Sequence, residues 1–137
     1  MRRFVLTVFI LGSACIGLQY FSRLAAGKRV EAVSGVAHDV FFSLKDAGEV
    51  AKIALVADSQ KYLGSIPGIV SYAAGTRSDM ERDVNDRNFD VSLHIVFQDK
   101  AALQEYLVHP MHTAYVARHE PNCQKIRVFN SELCDPR

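Results

Sequence analysis

The sequence has little of what several common classes of protein require. It contains three cysteines, four prolines and no tryptophan, and its formal net charge is +1. Three cysteines without a CxxC spacing are too few for a disulfide scaffold and argue against a structural zinc site. A balanced charge without a basic stripe gives no reason to expect nucleic acid as a partner. The sequence also lacks a glycine-rich phosphate loop, a nucleophile elbow and the Ser–His–Asp order of a triad.

The one long apolar run lies near the N-terminus. Arg2 and Arg3 precede an uninterrupted apolar stretch over residues 4–18, a pattern typical of a secretory signal and short for a membrane span, which needs roughly 20 residues. We therefore predict that residues 1–35 form a signal peptide or a membrane anchor. The protein would then be exported, periplasmic or secreted, or anchored to the membrane. Cys15 suits a lipid anchor poorly, because Gly-Ser-Ala before it lacks the large aliphatic residue of a lipoprotein signal.

Export would place Cys123 and Cys134 in an oxidising compartment. The segment QKIRVF between them is a predicted strand, and six extended residues span roughly 20 Å. Disulfide-bonded Cα atoms lie within about 7 Å of each other. A disulfide, two free thiols, and one thiol that faces a partner subunit therefore all stay open.

Regular alternation begins after the leader and indicates a folded domain over residues 36–131, followed by a short tail over residues 132–137. Apolar alternation predicts four strands, over residues 36–44, 69–76, 89–97 and 124–129. A first helix is capped by Asp46 and ends at Gly64. A second helix, after the third strand, is capped by Asp99.

Helical spacing predicts which side chains these helices bury. The expected inward residues are Val50, Ile53, Ala54 and Ala57 in the first helix, and Leu103, Tyr106 and Leu107 in the second. Tyr115 and Val116 continue that apolar face beyond Pro110. The polar stretch over residues 77–88 is predicted to be a solvated hairpin loop.

The order strand, helix, strand, strand, helix, strand predicts an α+β fold of the ferredoxin-like βαββαβ type, with a four-stranded antiparallel sheet and the helices on one face. The first strand carries His38 and Val40 on one side and Asp39 and Phe41 on the other. Both faces therefore hold apolar groups. A second copy that covers the face without helices would bury them, so we predict a homodimer.

The segment YLVHPMH holds the side chains best suited to chemistry, which are Tyr106, His109 and His112 around Pro110. Pro110 ends the helix, or kinks it and restarts it. A histidine can remove a proton next to a carbonyl, and a tyrosine hydroxyl can donate to the resulting enolate. Tyr106 and His112 are therefore the candidate catalytic pair. Each also has a structural interpretation, as a core aromatic and as a hydrogen-bonding group, and His109 is predicted mainly to cap the restarted helix.

Two other histidines are candidates for the pocket or for structural roles. His38 opens the first strand, and His94 lies in the third strand on the face opposite Phe97. His38, His94, His109 and His112 would suggest a metal if they converged, but the pair His109-x-x-His112 alone lacks the third ligand that zinc requires. We therefore expect neither a metal nor another cofactor.

The set HDVFFSLKD, IPGIVSYAAG, VFQDKAALQEYLVHPMH and IRVF resembles the stress-responsive A/B barrel (Dabb) family, over roughly His38 to Asn130. The resemblance implies a dimeric α+β barrel, in which two ferredoxin-like units close their sheets around a shared core. Most of the family has no assigned reaction, and its members include boiling-stable plant stress proteins and a plant polyketide cyclase. The cyclase's tyrosine and histidine fall on Tyr106 and His112, and the family's first-strand histidine falls on His38.

The resulting functional hypothesis is an exported or anchored Dabb-domain protein that binds a small apolar molecule and has no assigned reaction. The alternatives are a polyketide-cyclase-like enzyme with His112 as base and Tyr106 as donor, and a purely structural stress protein. The enzyme hypothesis requires that both side chains line one cavity of at least about 300 Å³. Expected partners are a second copy, the small ligand and, through an uncleaved leader, the membrane.

Overall fold

The computed structural model describes residues 33–134. The predicted signal peptide or anchor lies outside the described residues, except for positions 33–35 at its end. Within the described part, no helix is long and apolar enough to cross a membrane.

The described chain follows the predicted order of elements, with the second helix divided into two. The elements are β1 (Gly35–Leu44), α1 (Glu49–Leu63), β2 (Ile69–Thr76), β3 (Val91–Phe97), α2 (Lys100–Val108), α3 (Pro110–His119) and β4 (Cys123–Leu133). A 3₁₀ turn over Glu120–Asn122 joins α3 to β4. The third strand begins two residues later than predicted, and the last strand continues to Leu133 rather than ending at Phe129.

The four strands form one antiparallel sheet in the order β2-β3-β1-β4. β1 is hydrogen-bonded on both sides, with His38 opposite Ile95 of β3 and Asn130 of β4. The helices cover one face of this sheet. The predicted ferredoxin-like α+β fold is therefore confirmed.

The core lies between the sheet and the helices. Every second side chain of β1 and β3 points into it, which gives the buried set Val36, Val40, Phe42, Leu44, Val91, Leu93, Ile95 and Phe97. The helices add Leu55, Leu63, Leu103, Tyr106 and Tyr115. The buried Ser59 hydroxyl donates to the Val56 carbonyl at 2.6 Å and accepts from the Tyr72 hydroxyl at 2.5 Å, so its polar atom is satisfied.

The predicted buried face of α1 is wrong. Val50 and Ile53 are 84% and 61% exposed, and Ala54 and Ala57 also face outward. The helix instead buries Leu55, Ser59 and Leu63, one turn apart. Apolar residues occur on nearly every side of α1, so its periodicity fits a helix without specifying which face packs against the sheet.

The predicted cap of α1 is also wrong. The helix begins after Gly48, and no side chain among residues 33–134 caps it. Asn122 exchanges two hydrogen bonds with the backbone of Asp46, at 2.9 and 3.0 Å. These bonds hold Asp46 in the preceding loop, where its carboxylate accepts from the Gly48 amide at 3.0 Å.

The helix α2 is closer to the prediction. Asp99 accepts from the Ala102 amide at 2.8 Å and caps it as predicted. Leu103 and Tyr106 are buried, but Leu107 is 46% exposed. The helix ends one residue after Leu107, so that side chain lies at the margin of the core rather than inside it.

A glycine turn connects α1 to β2. Gly68 has a φ of +85°, a conformation that favours glycine, and a Cβ built there would lie 2.6 Å from the Ala102 Cβ. The Gly68 carbonyl accepts from the Gln98 amide at 3.0 Å. The turn therefore brings the start of β2 close to the start of α2.

The other face of the sheet, which we call the helix-free face because none of the described helices covers it, carries an aromatic cluster at one end. Phe41 makes edge contacts with Phe89 and Phe129, at centroid distances of 5.0 and 5.9 Å. The loop over residues 77–90 lies beside this cluster. Arg127 joins this loop to β4, because its guanidinium donates to the Asp86 carboxylate at 2.6 Å and to the Asn88 carbonyl at 3.0 Å.

Candidate functional site

The break between α2 and α3 brings Tyr106 and His112 together. His109 adopts an extended conformation between the helices, and its Nδ1 accepts from the Met111 amide at 3.2 Å as the N-cap of α3. Pro110 occupies the first helical position, where its missing N–H costs nothing. The Tyr106 and His112 ring centroids are 4.5 Å apart as a result. On an unbroken helix, residues six positions apart would not share a face.

Tyr106 is a neutral donor inside the core. Its side chain is 1% exposed and contacts Phe97 and His38 at centroid distances of 4.9 and 5.8 Å. Burial, with a smaller effect from Tyr72, raises the pKa of Tyr106 well above its usual value. Among the described residues its hydroxyl has no hydrogen-bond partner, so it remains able to donate to a ligand.

His112 is a neutral acceptor beside that hydroxyl. Its Nδ1–H donates to the Leu107 carbonyl at 3.1 Å, which leaves the lone pair on Nε2. Burial lowers the pKa of His112, the Leu107 carbonyl opposes that shift, and His38 and His109 lower the pKa further. At neutral pH, His112 therefore accepts protons or hydrogen bonds through Nε2.

His38 is buried and held by a residue that the sequence reasoning did not single out. Its Nδ1–H donates to the Asn130 side-chain oxygen at 2.7 Å, across the β1–β4 ladder. Only the strand register places these two residues opposite each other. No local pattern in the sequence signals the pair.

These three side chains line one cavity between α2, α3 and the sheet. Its volume is about 200 Å³, and its walls are mainly apolar. The apolar lining comprises Val40, Phe42, Leu93, Leu107, Val116, Ile126 and Val128, together with the ring of Tyr115. Tyr106 and His112 thus share a cavity, as the enzyme hypothesis requires, but it is smaller than the predicted minimum of about 300 Å³.

The sequence model of the stress responsive A/B barrel (Dabb) domain matches residues 36–133. The chain belongs to this family. No curated protein matches the sequence.

Solved structures share the fold of this Dabb domain. A Dabb-family protein with a ferredoxin-like fold from Mesorhizobium loti is 24% identical, with a TM-score of 0.62, and the match covers 75% of this chain and 100% of that chain. The hydroxynitrile lyase from Passiflora edulis is 23% identical, with a TM-score of 0.61 and coverage of 74% and 95%. A dimeric ferredoxin-like protein of unknown function from Jannaschia is 25% identical, with a TM-score of 0.59 and coverage of 72% and 98%.

The cavity lined by Tyr106 and His112 has a second group of polar residues, at its other end, that the sequence analysis missed. His119, Glu120 and Cys123 line it, and the His119 Nε2–H donates to the Asp58 carboxylate at 3.1 Å. His119 lies seven positions after His112 on the same helix, so both face the same side. That spacing was visible in the sequence, whereas the Asp58 partner on α1 was not.

Two predicted candidates lie away from this cavity. His94 is on the helix-free face, where its Nδ1–H donates to Asp39 at 2.5 Å. His109 contacts the start of α3, and its carbonyl accepts from the Thr113 amide at 3.0 Å. The histidines His38, His94, His109 and His112 therefore do not converge, and within residues 33–134 no group of three or more potential ligands is placed to hold a metal.

Cys123 and Cys134 are both free thiols in the described chain. The Cys123 thiol donates to the His119 carbonyl at 3.3 Å. Burial and the charge of Glu120 raise the pKa of Cys123, while Lys45 opposes that shift. A protonated thiol is a poor nucleophile, so Cys123 serves as part of the cavity wall.

Proposed function

We propose that this Dabb domain binds a small aromatic, or similarly compact apolar, molecule that carries a hydroxyl group. The observation that supports this proposal most directly is the Tyr106–His112 pair at the wall of one apolar cavity. The Tyr106 hydroxyl is a donor and His112 Nε2 is an acceptor. A hydroxyl group on the ligand can accept a hydrogen bond from Tyr106 and donate one to His112, so it satisfies both side chains.

The cavity volume limits the size of the ligand. An apolar cavity of about 150 Å³ takes up benzene, whereas drug-sized ligands occupy about 300 Å³ or more. The cavity beside Tyr106, at about 200 Å³, suits a single substituted ring. This volume argues against a long linear polyketide as the bound molecule.

An enzyme is the second candidate function, because a neutral histidine beside a tyrosine hydroxyl is suited to proton transfer at a small carbonyl or hydroxyl compound. The similarly folded protein from Passiflora edulis is a hydroxynitrile lyase, so the fold is compatible with an enzyme. In the cyclase-like version, His112 is the base and Tyr106 the donor. A His112→Ala protein that still turns over candidate polyketides would exclude His112 as the base. A purely structural protein requires no cavity, so the cavity favours a binding role over that third alternative.

We also propose that the domain forms a homodimer through the helix-free sheet face. Two solved proteins of similar fold are dimeric. On this face, Phe129 is 53% exposed and lies beside Phe41. The pairing of two such faces would bury the aromatic cluster and give the dimeric α+β barrel that the family resemblance implies.

Export or membrane anchoring remains a proposal that rests on the apolar run over residues 4–18 and on Arg2 and Arg3 before it. Intact-mass measurement of the protein from fractionated cells tests it. A full-length chain recovered only from the cytosolic fraction would refute both export and membrane anchoring.

Binding of phenol tests the proposed function. Titration of the full chain by ¹H–¹⁵N NMR is expected to give saturable shifts around the cavity. Tyr106→Phe removes only the hydroxyl. It should raise the dissociation constant of phenol about fivefold, which is the effect of losing one net hydrogen bond.

Toluene, which lacks the hydroxyl, and His94→Gln, on the other face of the sheet, are the controls. Toluene should bind wild type and Tyr106→Phe equally, and His94→Gln should bind phenol like wild type. Absence of saturable binding, or an equal loss for phenol and toluene, would contradict the proposal.

A further inference from the structure

The cavity is polar at both ends of α3. His112 marks one end and His119 the other, seven positions apart on the same helix. Two helical turns separate their Cα atoms by about 10 Å. The wall between them is apolar, because Val116 and Val128 are aliphatic and the Tyr115 hydroxyl donates to the Leu55 carbonyl at 3.4 Å.

Asp58 fixes the orientation of the His119 ring. Both side chains are largely buried, and one carboxylate oxygen accepts from His119 Nε2 at 3.1 Å and from Arg118 Nε at 2.6 Å. Burial opposes ionisation of Asp58, but Arg118 and His119 outweigh it and lower the pKa of the carboxyl.

This arrangement determines which ring nitrogen of His119 is available. Nε2 carries the proton that the Asp58 carboxylate accepts, so in the neutral ring Nδ1 holds a lone pair. Among the described residues, Nδ1 has no hydrogen-bond partner. The ring is also fixed against Tyr115, at a centroid distance of 4.9 Å.

We propose that His119, positioned by Asp58, is a second hydrogen-bond acceptor of the cavity, and that the ligand is a small aromatic molecule with a hydroxyl group at each end. One hydroxyl pairs with Tyr106 and His112, and the other donates to His119 Nδ1. This inference rests on the proposed function and adds the chemical class of the ligand. The site matches a phenol with a short hydroxyalkyl substituent opposite its hydroxyl.

Two nearly isosteric probes test the second contact. 4-Ethylphenol and 4-hydroxybenzyl alcohol differ only by a methyl group in place of a hydroxyl at the far end. Their dissociation constants are measured by NMR titration of the full chain and compared as a ratio, which cancels effects on the shared phenol. The dissociation constant of 4-ethylphenol divided by that of 4-hydroxybenzyl alcohol is expected to fall about three- to tenfold in His119→Phe. This substitution keeps a ring against Tyr115.

Asp58→Ala tests the positioning role. Loss of the carboxylate lets both His119 tautomers form, so the ratio should fall at least about twofold. Long-range ¹H–¹⁵N spectra should show the Nε2–H tautomer of His119 in wild type and a mixture in Asp58→Ala. Glu49→Ala removes an exposed carboxylate from the same helix, where it pairs with Lys52, and serves as the control.

The possible outcomes separate the two proposals. If wild type binds neither probe, both the proposed function and this inference fail. If both probes bind but the ratio is unchanged in His119→Phe, the second contact is refuted while the binding function stands. Should His119→Phe not fold, the wild-type spectra decide, because 4-hydroxybenzyl alcohol must shift the His119 Nδ1 resonance and 4-ethylphenol must not.

Discussion

His112 owes its chemical character to its immediate surroundings. The Leu107 carbonyl fixes its Nδ1–H, and burial disfavours the charged ring. Its pKa in the folded chain therefore lies below the ordinary histidine value of about 6.5 that applies to the unfolded chain. Between these two values, the unfolded chain binds more protons at this position than the folded chain does.

The stability contribution of His112 should consequently depend on pH. It is fully present above about pH 6.5 and is lost as the pH falls through the folded-state pKa, because protonation favours unfolding. We expect the free energy of unfolding of wild type to fall more steeply between pH 7.5 and 5.5 than that of His112→Gln. Urea titrations at a series of pH values measure both slopes. Equal slopes would mean that His112 has the same pKa in both states.

At this scale, the sequence predicts the geometry that depends on a local pattern. Tyr106, His109, Pro110 and His112 lie within seven residues, and the consequences of Pro110 for a helix follow from its ring alone. Asn130, which orients His38, lies 92 positions from it, so the pair exists only through the strand register. The Asp58–His119 pair likewise depends on how α1 packs against α3.

At the scale of elements, the turn at Gly68 joins α1 to β2 and packs against the start of α2. Its positive φ and the nearby Ala102 leave no room for a side chain. Gly75 in β2 is the natural comparison, because a Cβ there would meet nothing within 4 Å. Alanine substitutions at Gly68 and Gly75 therefore distinguish the cost of a steric clash from the general effect of replacing a glycine.

Gly68→Ala should lower the free energy of unfolding by about 1–3 kcal/mol, since the backbone and the Ala102 contact both oppose a side chain. Gly75→Ala should change it by less than about 1 kcal/mol, and in the stabilising direction, because alanine restricts the unfolded chain. Chemical denaturation of both variants provides the comparison. A Gly68→Ala protein as stable as wild type would show that the turn can rearrange at no cost.

The elements also show where sequence patterns stop being informative. The order and approximate bounds of the strands were predictable, because alternation in β1 and β3 reports directly on a half-buried sheet. The buried face of α1 was not, since the spacing of Val50 and Ile53 fits one face of a helix as well as the spacing of the buried Leu55 and Leu63 fits another. Asp99 caps its helix and Asp46 does not, because Asn122 binds the backbone of Asp46 from elsewhere in the fold.

At the scale of the whole molecule, the helix-free face is the surface through which we propose that two copies associate. Phe129 and Phe41 form an aromatic surface there, and Arg127 ties the adjacent loop to the sheet. An exposed aromatic cluster on a monomer is unfavourable in water, whereas the same cluster at a symmetric interface contributes to association.

Phe129→Lys should therefore convert the proposed dimer to a monomer, because a desolvated charge would face its counterpart across the interface. Sedimentation at several protein concentrations measures the state. Val108→Lys replaces another exposed apolar residue, on α2 and away from this face, and should leave the dimer intact. A Phe129→Lys protein that sediments like wild type would place the interface elsewhere.

The internal position of β1 has a further consequence for the walls of the cavity. Both edges of β1 are hydrogen-bonded, so its amides should exchange with solvent only when the whole domain opens, whereas β4 has one free edge in the described chain. His38 therefore lies on the rigid wall, and His112 and His119 lie together on α3, which the three-residue turn Glu120–Asn122 joins to β4. Any displacement of α3 would therefore move His112 and His119 together relative to His38.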